Sequence, residues 1–71
     1  MMGDLKLIFR YKSGDIVRIG MYKNGELHHE FHGMIESPIV KQLPGQSALP
    51  HYKIYSDERL YSEEVILGLV S

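Results

Sequence analysis

The segment Tyr22–Glu36, with the sequence YKNGELHHEFHGMIE, decides how the rest of the chain is arranged. Asn24-Gly25 is its strongest turn signal, because both central positions of a type I′ hairpin turn require a positive φ, which Asn and Gly adopt most easily. After this turn, polar and apolar residues alternate with a period of two, which is typical of a β-strand with one buried face. The segment therefore predicts a hairpin whose second strand begins just after Gly25.

The alternation divides this second strand into two faces. The odd positions are predicted to face the core, and they are Leu27, His29, Phe31, Gly33 and Ile35. The even positions are predicted to face solvent, and they are Glu26, His28, Glu30, His32, Met34 and Glu36. A glycine inside a strand, as at Gly33, indicates a bulge, a bend or a close approach of another group to the backbone.

Two further alternating runs precede the hairpin turn. Leu5–Tyr11 and Ile16–Tyr22 both read as strands, and the turn between them contains Gly14. In the second run, the side chains predicted to face the core are Val17, Ile19 and Met21, and those predicted to face outwards are Arg18, Gly20 and Tyr22. Three strands joined by tight turns predict an antiparallel meander.

The stretch 37–50 interrupts the alternation with Pro38, Pro44 and Pro50. Because proline has no N–H to donate to a β-ladder, the pattern predicts a long loop here and excludes a central strand. The apolar residues of this stretch could still pack against the barrel or form a short edge pairing, and they are Ile39, Val40, Leu43 and Leu49. A loop of this length in a small domain is either an ordered cover over one end of the sheet or a binding loop, and the sequence leaves both open.

The C-terminal third contains two more candidate strands. His51–Tyr55 alternates as a fourth strand, and Ser62-Glu63-Glu64 is suited to a single helical turn. The closing run, Val65–Val70, is apolar on both faces, which predicts a strand buried on both sides, either in a barrel or against another subunit. A helix from Ser62 remains an alternative for this run. The residues assigned to a subunit interface are Val65, Ile66, Leu67, Leu69 and Val70.

Size and composition bound the kind of protein. Residues 1–71 form a single domain without cysteine and with a net charge of −1. Such a short chain buries only roughly 60% of its surface on folding, and small domains without disulfides often gain stability by self-association. We therefore expect a homo-oligomer.

The chain has no signal-peptide pattern and no apolar run long enough to span a bilayer, so a cytoplasmic location without membrane attachment is expected.

The strand order resembles that of a known family of small barrels. Asn24-Gly25, the strand with Gly33-Met34-Ile35, the strand containing Ile54 and the closing apolar strand resemble the barrel of Sm-like proteins, including the bacterial Sm-like RNA chaperones. The same features, with Asp57-Glu58-Arg59, are similar to the YolD-like family of Gram-positive bacteria and their phages. This resemblance covers roughly residues 22–70 and implies an Sm/SH3-like fold.

Two departures separate the chain from RNA-binding members of that family. Sm-like RNA binders begin with a helix, whereas Leu5–Tyr11 reads as a strand. The bacterial RNA chaperones contact RNA with a Tyr-Lys-His motif, whereas the corresponding residues here are Tyr61-Ser62-Glu63. The resemblance thus supports the fold more than it supports RNA binding, and fold alone does not determine function.

The histidine cluster His28-His29-Glu30-Phe31-His32 suggests a metal site only if it is helical. On a strand, His28 and His32 share a face but lie about 13 Å apart, which is too far for one ion. We therefore predict no metal site and no cofactor. The sequence also contains no nucleophile elbow, phosphate-binding glycine loop or paired-carboxylate spacing, so no catalytic residue is assigned.

A group of cations with one tyrosine forms a candidate nucleic-acid or anion site. Cations beside an aromatic ring on a sheet face are the elements of a single-strand binder, although charges that merely solvate the exposed face of the meander are the preferred interpretation. The residues assigned to this site are Lys6, Arg10, Lys12, Arg18 and Tyr22.

The sequence thus predicts an all-β protein with about five antiparallel strands, arranged as a small Sm/SH3-like barrel or a strongly bent sheet. The expected function is that of a non-enzymatic interaction module that contacts itself and another protein, as an accessory or phage-encoded regulator. Two alternatives stay open: a nucleic-acid binder of the Sm-like type, and a binder of a small anionic ligand in a pocket between subunits.

Overall fold

The fold is a single antiparallel β-sheet, as seen in a computed structural model that describes residues 8–42, 44–45 and 47–70. The strands are β1 (Ile16–Lys23), β2 (Glu26–Lys41), β3 (Leu49–Ile54), β4 (Leu60–Ser62) and β5 (Ile66–Leu69), and a 3-10 turn occupies Glu63–Val65. Their order in the sheet is β4-β3-β2-β1-β5. The all-β prediction is confirmed. Within the described residues β4 and β5 are not paired with each other, so the sheet is not closed into the predicted barrel.

The β1–β2 hairpin forms as predicted. Asn24 and Gly25 have φ values of 53° and 81°, the positive values that a tight hairpin turn requires. The strand that follows is extended through the whole histidine cluster. Near the turn, however, Met21 lies opposite His29 while Tyr22 lies opposite Leu27, which marks a β-bulge. One extra residue in β2 reverses the face of the residues beyond it.

The bulge changes the predicted faces at the start of β2. Leu27 shares a face with Tyr22, away from the core, so its predicted inward orientation is wrong. His29 lies opposite Met21 but is exposed, because the hairpin extends past the buried part of the sheet. From Phe31 to Ile35 the predicted alternation is confirmed, with Ile35 fully buried.

The predicted first strand, Leu5–Tyr11, is not a strand over its described part. Residues 5–7 lie outside the described residues, and 8–11 form irregular backbone. Phe9 and Tyr11 still pack on the core, each with its ring edge-on to Tyr52. The predicted meander of three strands fails because β5 occupies the free edge of β1, where Ile19 lies opposite Ile66.

Half of the predicted loop 37–50 lies in strands. β2 continues to Lys41 and β3 begins at Leu49, so the connection shortens to residues 42–48. Pro38 lies in β2 opposite Tyr52, at a point where β2 has passed the end of β1 and, of the described strands, only β3 pairs with it. Pro50 lies in β3 just outside the part that pairs with β4. Both prolines therefore occupy local sheet edges, where the missing N–H is tolerated.

The C-terminal segment combines the two predictions made for it. The single helical turn is confirmed as the 3-10 turn, and β5 follows it, so the alternative of a longer helix is wrong. Among the described residues, β5 is an edge strand that pairs with β1 alone. In that part of the chain burial on both sides is not observed, since Ile66 is buried whereas Leu69 is 54% exposed.

Every strand contributes to one small core on one face of the sheet. Its buried members are Val17, Ile19, Ile35, Tyr52, Ile54, Tyr61 and Ile66. Gly33 is required where the sheet packs most tightly, because a Cβ at this position would lie 2.7 Å from Cγ2 of Ile54. The close approach predicted for Gly33 is thus confirmed.

Candidate interaction surface

The face of β1 and β2 that points away from the core carries four cross-strand rows. We call this surface the outer face. In order along β1, its rows are Ile16 with Met34, Arg18 with His32, Gly20 with Glu30, and Tyr22 with Leu27. The first and last rows are apolar and the two middle rows are polar. Successive rows lie about 7 Å apart because they are separated by two strand residues.

An apolar cluster covers the backbone of Gly20. A Cβ at this position would lie 2.9 Å from Cδ1 of Leu27, 2.9 Å from Cε1 of Tyr22 and 3.4 Å from Cδ2 of Leu67. Three side chains from β1, β2 and β5 therefore meet above one glycine. Tyr22 and Leu27 nevertheless remain 48% exposed, so the described part of the chain covers this cluster only in part.

The other apolar row of the outer face is also open. Ile16 is 44% exposed and Met34 is 41% exposed, and they lie directly opposite each other. Single exposed apolar side chains are common on protein surfaces, whereas pairs of neighbouring ones are less common. Two such pairs on one face of a sheet are therefore typical of an interaction surface.

An ion pair lies between the two apolar rows. Arg18 Nε donates to Glu30 Oε2 at 3.0 Å. This hydrogen bond lowers the pKa of the Glu30 carboxyl and raises that of the Arg18 guanidinium. The middle of the outer face therefore carries both signs of charge, with no net charge from this pair.

The predicted cation site is divided by the structure. Lys6 lies outside the described residues. Arg18 and Tyr22 lie on the outer face, but Arg10 and Lys12 lie in the segment before β1. Lys12 forms an ion pair with Asp15 at 3.2 Å, so it and Arg18 are both matched by a carboxylate.

The residues assigned to a subunit interface also have different surroundings. Ile66 lies in the chain's own core, and Val65 packs against that core. Leu67 belongs to the cluster over Gly20, and Leu69 is exposed on the edge strand. Val70 donates its backbone N–H to the carbonyl of Ile16 at 2.8 Å.

Two tyrosine–carboxylate pairs stabilise the opposite side of the sheet. The Tyr52 hydroxyl donates to Glu63 Oε2 at 2.5 Å and accepts the backbone N–H of Arg10 at 3.1 Å, which fastens the N-terminal segment to the core. Burial, reinforced by the Glu63 carboxylate, raises the pKa of Tyr52 to about 12.

In the second pair, the Tyr61 hydroxyl donates to Asp57 Oδ2 at 2.6 Å. That bond, with the N–H of Arg59, lowers the pKa of Asp57 to about 2.

The histidines are not gathered into a site. His28, His29 and His32 lie along the extended part of β2, and all three are exposed. Within the described ranges, no three or more His, Cys, Asp or Glu side chains are placed to hold one metal ion.

A shallow groove of about 200 Å³ is present at the other end of the sheet. Its lining residues are Leu49, Pro50, Ser62, Glu63 and Glu64. Oε2 of Glu63 already accepts hydrogen bonds from the Tyr52 hydroxyl and from the backbone N–H of Arg10.

Neither a protein-family model, a curated protein nor a solved structure matches the chain. The resemblance to Sm-like and YolD-like proteins therefore stays a prediction. Among residues 8–42, 44–45 and 47–70, no helix is long and apolar enough to cross a membrane.

Sequence reasoning identified part of the outer face. Arg18, Gly20 and Tyr22 were placed on the outward side of their strand, and the structure places them there. Leu27 was missed because the bulge is not visible in the alternation. The usable signal was Gly20 itself, since a glycine within a strand interior often marks a close approach, here of side chains packed over its backbone.

Proposed function

We propose that this chain is a non-enzymatic interaction module that acts by self-association and protein–protein contact. The observation that carries the proposal is the partly exposed apolar cluster over Gly20. Tyr22 and Leu27 each bury only about half of their surface, so a partner that covers them gains the remaining apolar burial. Sheet faces that remain apolar after folding are commonly covered by another protein.

The small core supports the same proposal. Seven side chains are buried among the described residues, and two of them are tyrosines whose hydroxyl groups require polar partners. A core of this size gives a marginal free energy of unfolding, and association would add to it by mass action. A strongly bent sheet of the Sm/SH3-like type remains our proposal for the wider fold class.

A nucleic-acid binder is the second candidate, because Arg18 and Tyr22 share the outer face. Against it, Arg18 is paired with Glu30 and the chain has a net charge of −1. Binding to a phosphate backbone requires an excess of clustered cations. Binding of a small anion at a subunit boundary would draw on the same cations and meets the same objection.

Sedimentation velocity over a range of concentrations tests the first proposal. We expect the sedimentation coefficient to rise with concentration in the micromolar to millimolar range, since small interfaces give weak association. A monomer at every concentration would refute self-association.

Fluorescence anisotropy with labelled RNA and single-stranded DNA at two salt concentrations tests the nucleic-acid alternative. If that alternative is correct, binding must weaken steeply as the salt concentration rises.

A further inference from the structure

The order of residues on the outer face is complementary to itself. Along β1 the rows are apolar, basic, acidic and apolar: Ile16 with Met34, Arg18 with His32, Gly20 with Glu30, and Tyr22 with Leu27. When this series is reversed and laid over itself, each apolar row meets an apolar row and the basic row meets the acidic row. A two-fold symmetric contact requires this property, because the same surface meets itself.

We propose that the outer face binds the outer face of a second copy, with β1 of one protomer antiparallel to β1 of its partner. This inference rests on the proposed function, and it names both the surface and the occupant. The two-fold axis lies in the plane between the two sheets, perpendicular to β1, and passes between the Arg18 and Gly20 rows.

The antiparallel arrangement follows from the charges. With β1 antiparallel to its copy, Arg18 of each protomer faces the row that holds Glu30 of the other. In a parallel arrangement Arg18 would instead lie over the row that holds the other Arg18, and like charges would meet. Opposite-charge contact favours the first arrangement and like-charge contact disfavours the second.

The Glu30 carboxylate is accessible to a second copy. Its side chain is 35% exposed, so a guanidinium from the partner can approach it on the outer face. Packed sheets lie about 10 Å apart, a distance that long side chains from both faces fill.

The neutral ion pair also argues for a second copy over a nucleic acid. Arg18 and Glu30 contribute one charge of each sign, and the apolar rows contribute none. A polyanion would have to displace Glu30 from Arg18, whereas a second copy supplies another Arg18 to Glu30 and another Glu30 to Arg18. Only four rows are involved, so the contact is small and micromolar affinity is expected.

Charge reversal followed by mixing gives the sharpest test. R18E places two acidic groups on each outer face, and E30R places two basic groups there. We expect each variant alone to self-associate about tenfold or more weakly than the wild type, because like charges then meet across the axis. An equimolar mixture should recover association as heterodimers, since acidic rows then meet basic rows. A broken ion pair within one protomer cannot be repaired by mixing, so recovery reports contact between protomers.

Apolar variants provide a matched control. Leu27 and Leu49 are 48% and 53% exposed, but only Leu27 lies on the outer face. L27E should weaken the dimer about tenfold or more, and L49E should leave it unchanged. Circular dichroism must show that each variant retains its sheet.

The outcomes separate the two proposals. A wild-type chain that stays monomeric refutes both the proposed function and this dimer. A wild type that associates, while mixing fails to restore R18E and E30R, refutes the outer-face dimer alone. The same conclusion follows if L49E weakens association as much as L27E does. Recovery on mixing together with selective loss in L27E supports the dimer as described.

Discussion

Replacement of Gly33 by alanine should destabilise the protein through a single contact. The added Cβ would lie 2.7 Å from Cγ2 of Ile54, a distance that real Cβ atoms essentially never show. Ile54 is only 3% exposed, so it cannot move into solvent and the core must repack around it. Overpacking of this kind costs about 1–3 kcal/mol. Loss of the glycine's backbone freedom offsets roughly 0.5–1 kcal/mol of that cost.

The net loss for G33A is therefore about 0.5–2 kcal/mol, which in a domain of this size lowers Tm by roughly 2–16 °C. G20A is the matched control. Its Cβ also meets neighbours, at 2.9 Å, but these are the outer ends of Leu27 and Tyr22, which are half-exposed and free to turn aside. Urea denaturation followed by circular dichroism measures both variants. If G33A is as stable as the wild type, or G20A is the more destabilised of the two, the steric reasoning is wrong.

Three further predictions concern the tyrosine–carboxylate pairs. The pKa of Asp57 is lowered to about 2 in the folded state, so the stability that its carboxylate contributes is complete above about pH 4 and is lost as the pH falls towards 2. D57N should therefore reduce the loss of stability between pH 6 and 2 in urea titrations, and an unchanged pH dependence would contradict this prediction. The pKa of Tyr52 is raised to about 12, so the stability that its protonated hydroxyl contributes is present below pH 10 and is lost between about pH 10 and 12. The free energy of unfolding of Y52F, followed by circular dichroism, should therefore depend less on pH in that range. Y52F also removes the hydroxyl that accepts the Tyr11 N–H and one of the two acceptors of the Arg10 N–H, so we expect a loss of about 1–3 kcal/mol in the free energy of unfolding. Amide exchange should accelerate more at Tyr11 than at Gly14, whose N–H bonds to the backbone and serves as control, and equal acceleration at both sites would indicate general loosening.

These predictions share a feature of the fold. The chain has one thin sheet and a small core, so a few specific contacts account for much of its stability. Tyr52 joins β3, the 3-10 turn and the N-terminal segment through one hydroxyl group. Tyr61 joins β4 to the β3–β4 turn through Asp57 in a similar way. Both tyrosines combine apolar burial with a polar end that stays satisfied.

The outer face would add to these contacts if the dimer forms. The apolar rows at its two ends are the part of the sheet that the described chain leaves open on that side. Their coverage by a second copy would join two thin sheets into a sandwich, which is the usual way for a sheet to bury both of its faces. Dissociation and unfolding should then be linked, so Tm is expected to rise with protein concentration for the wild type and less so for L27E.

Short-range chemistry determined the parts of the fold that were predicted correctly from the sequence. Asn24-Gly25 forms a tight hairpin turn because few other residue pairs adopt two successive positive φ values. The alternation from Phe31 to Ile35 specifies an extended strand with one buried face. The outward direction of Arg18 and Tyr22, which contribute to the candidate site, follows from the same period of two.

Tertiary structure decided the rest. The alternation of Leu5–Tyr11 suits a strand, but β5 takes the edge of β1 that such a strand would need, and the described part of this segment packs on Tyr52 instead. Pro38 suggests a loop, yet it lies within β2 because no third strand lies beside it there. The bulge beside Met21 turns Leu27 to the outer face. Each outcome depends on which strand lies next to which, and that choice is made by burial of side chains far apart in the chain, so no local pattern of residues contains it.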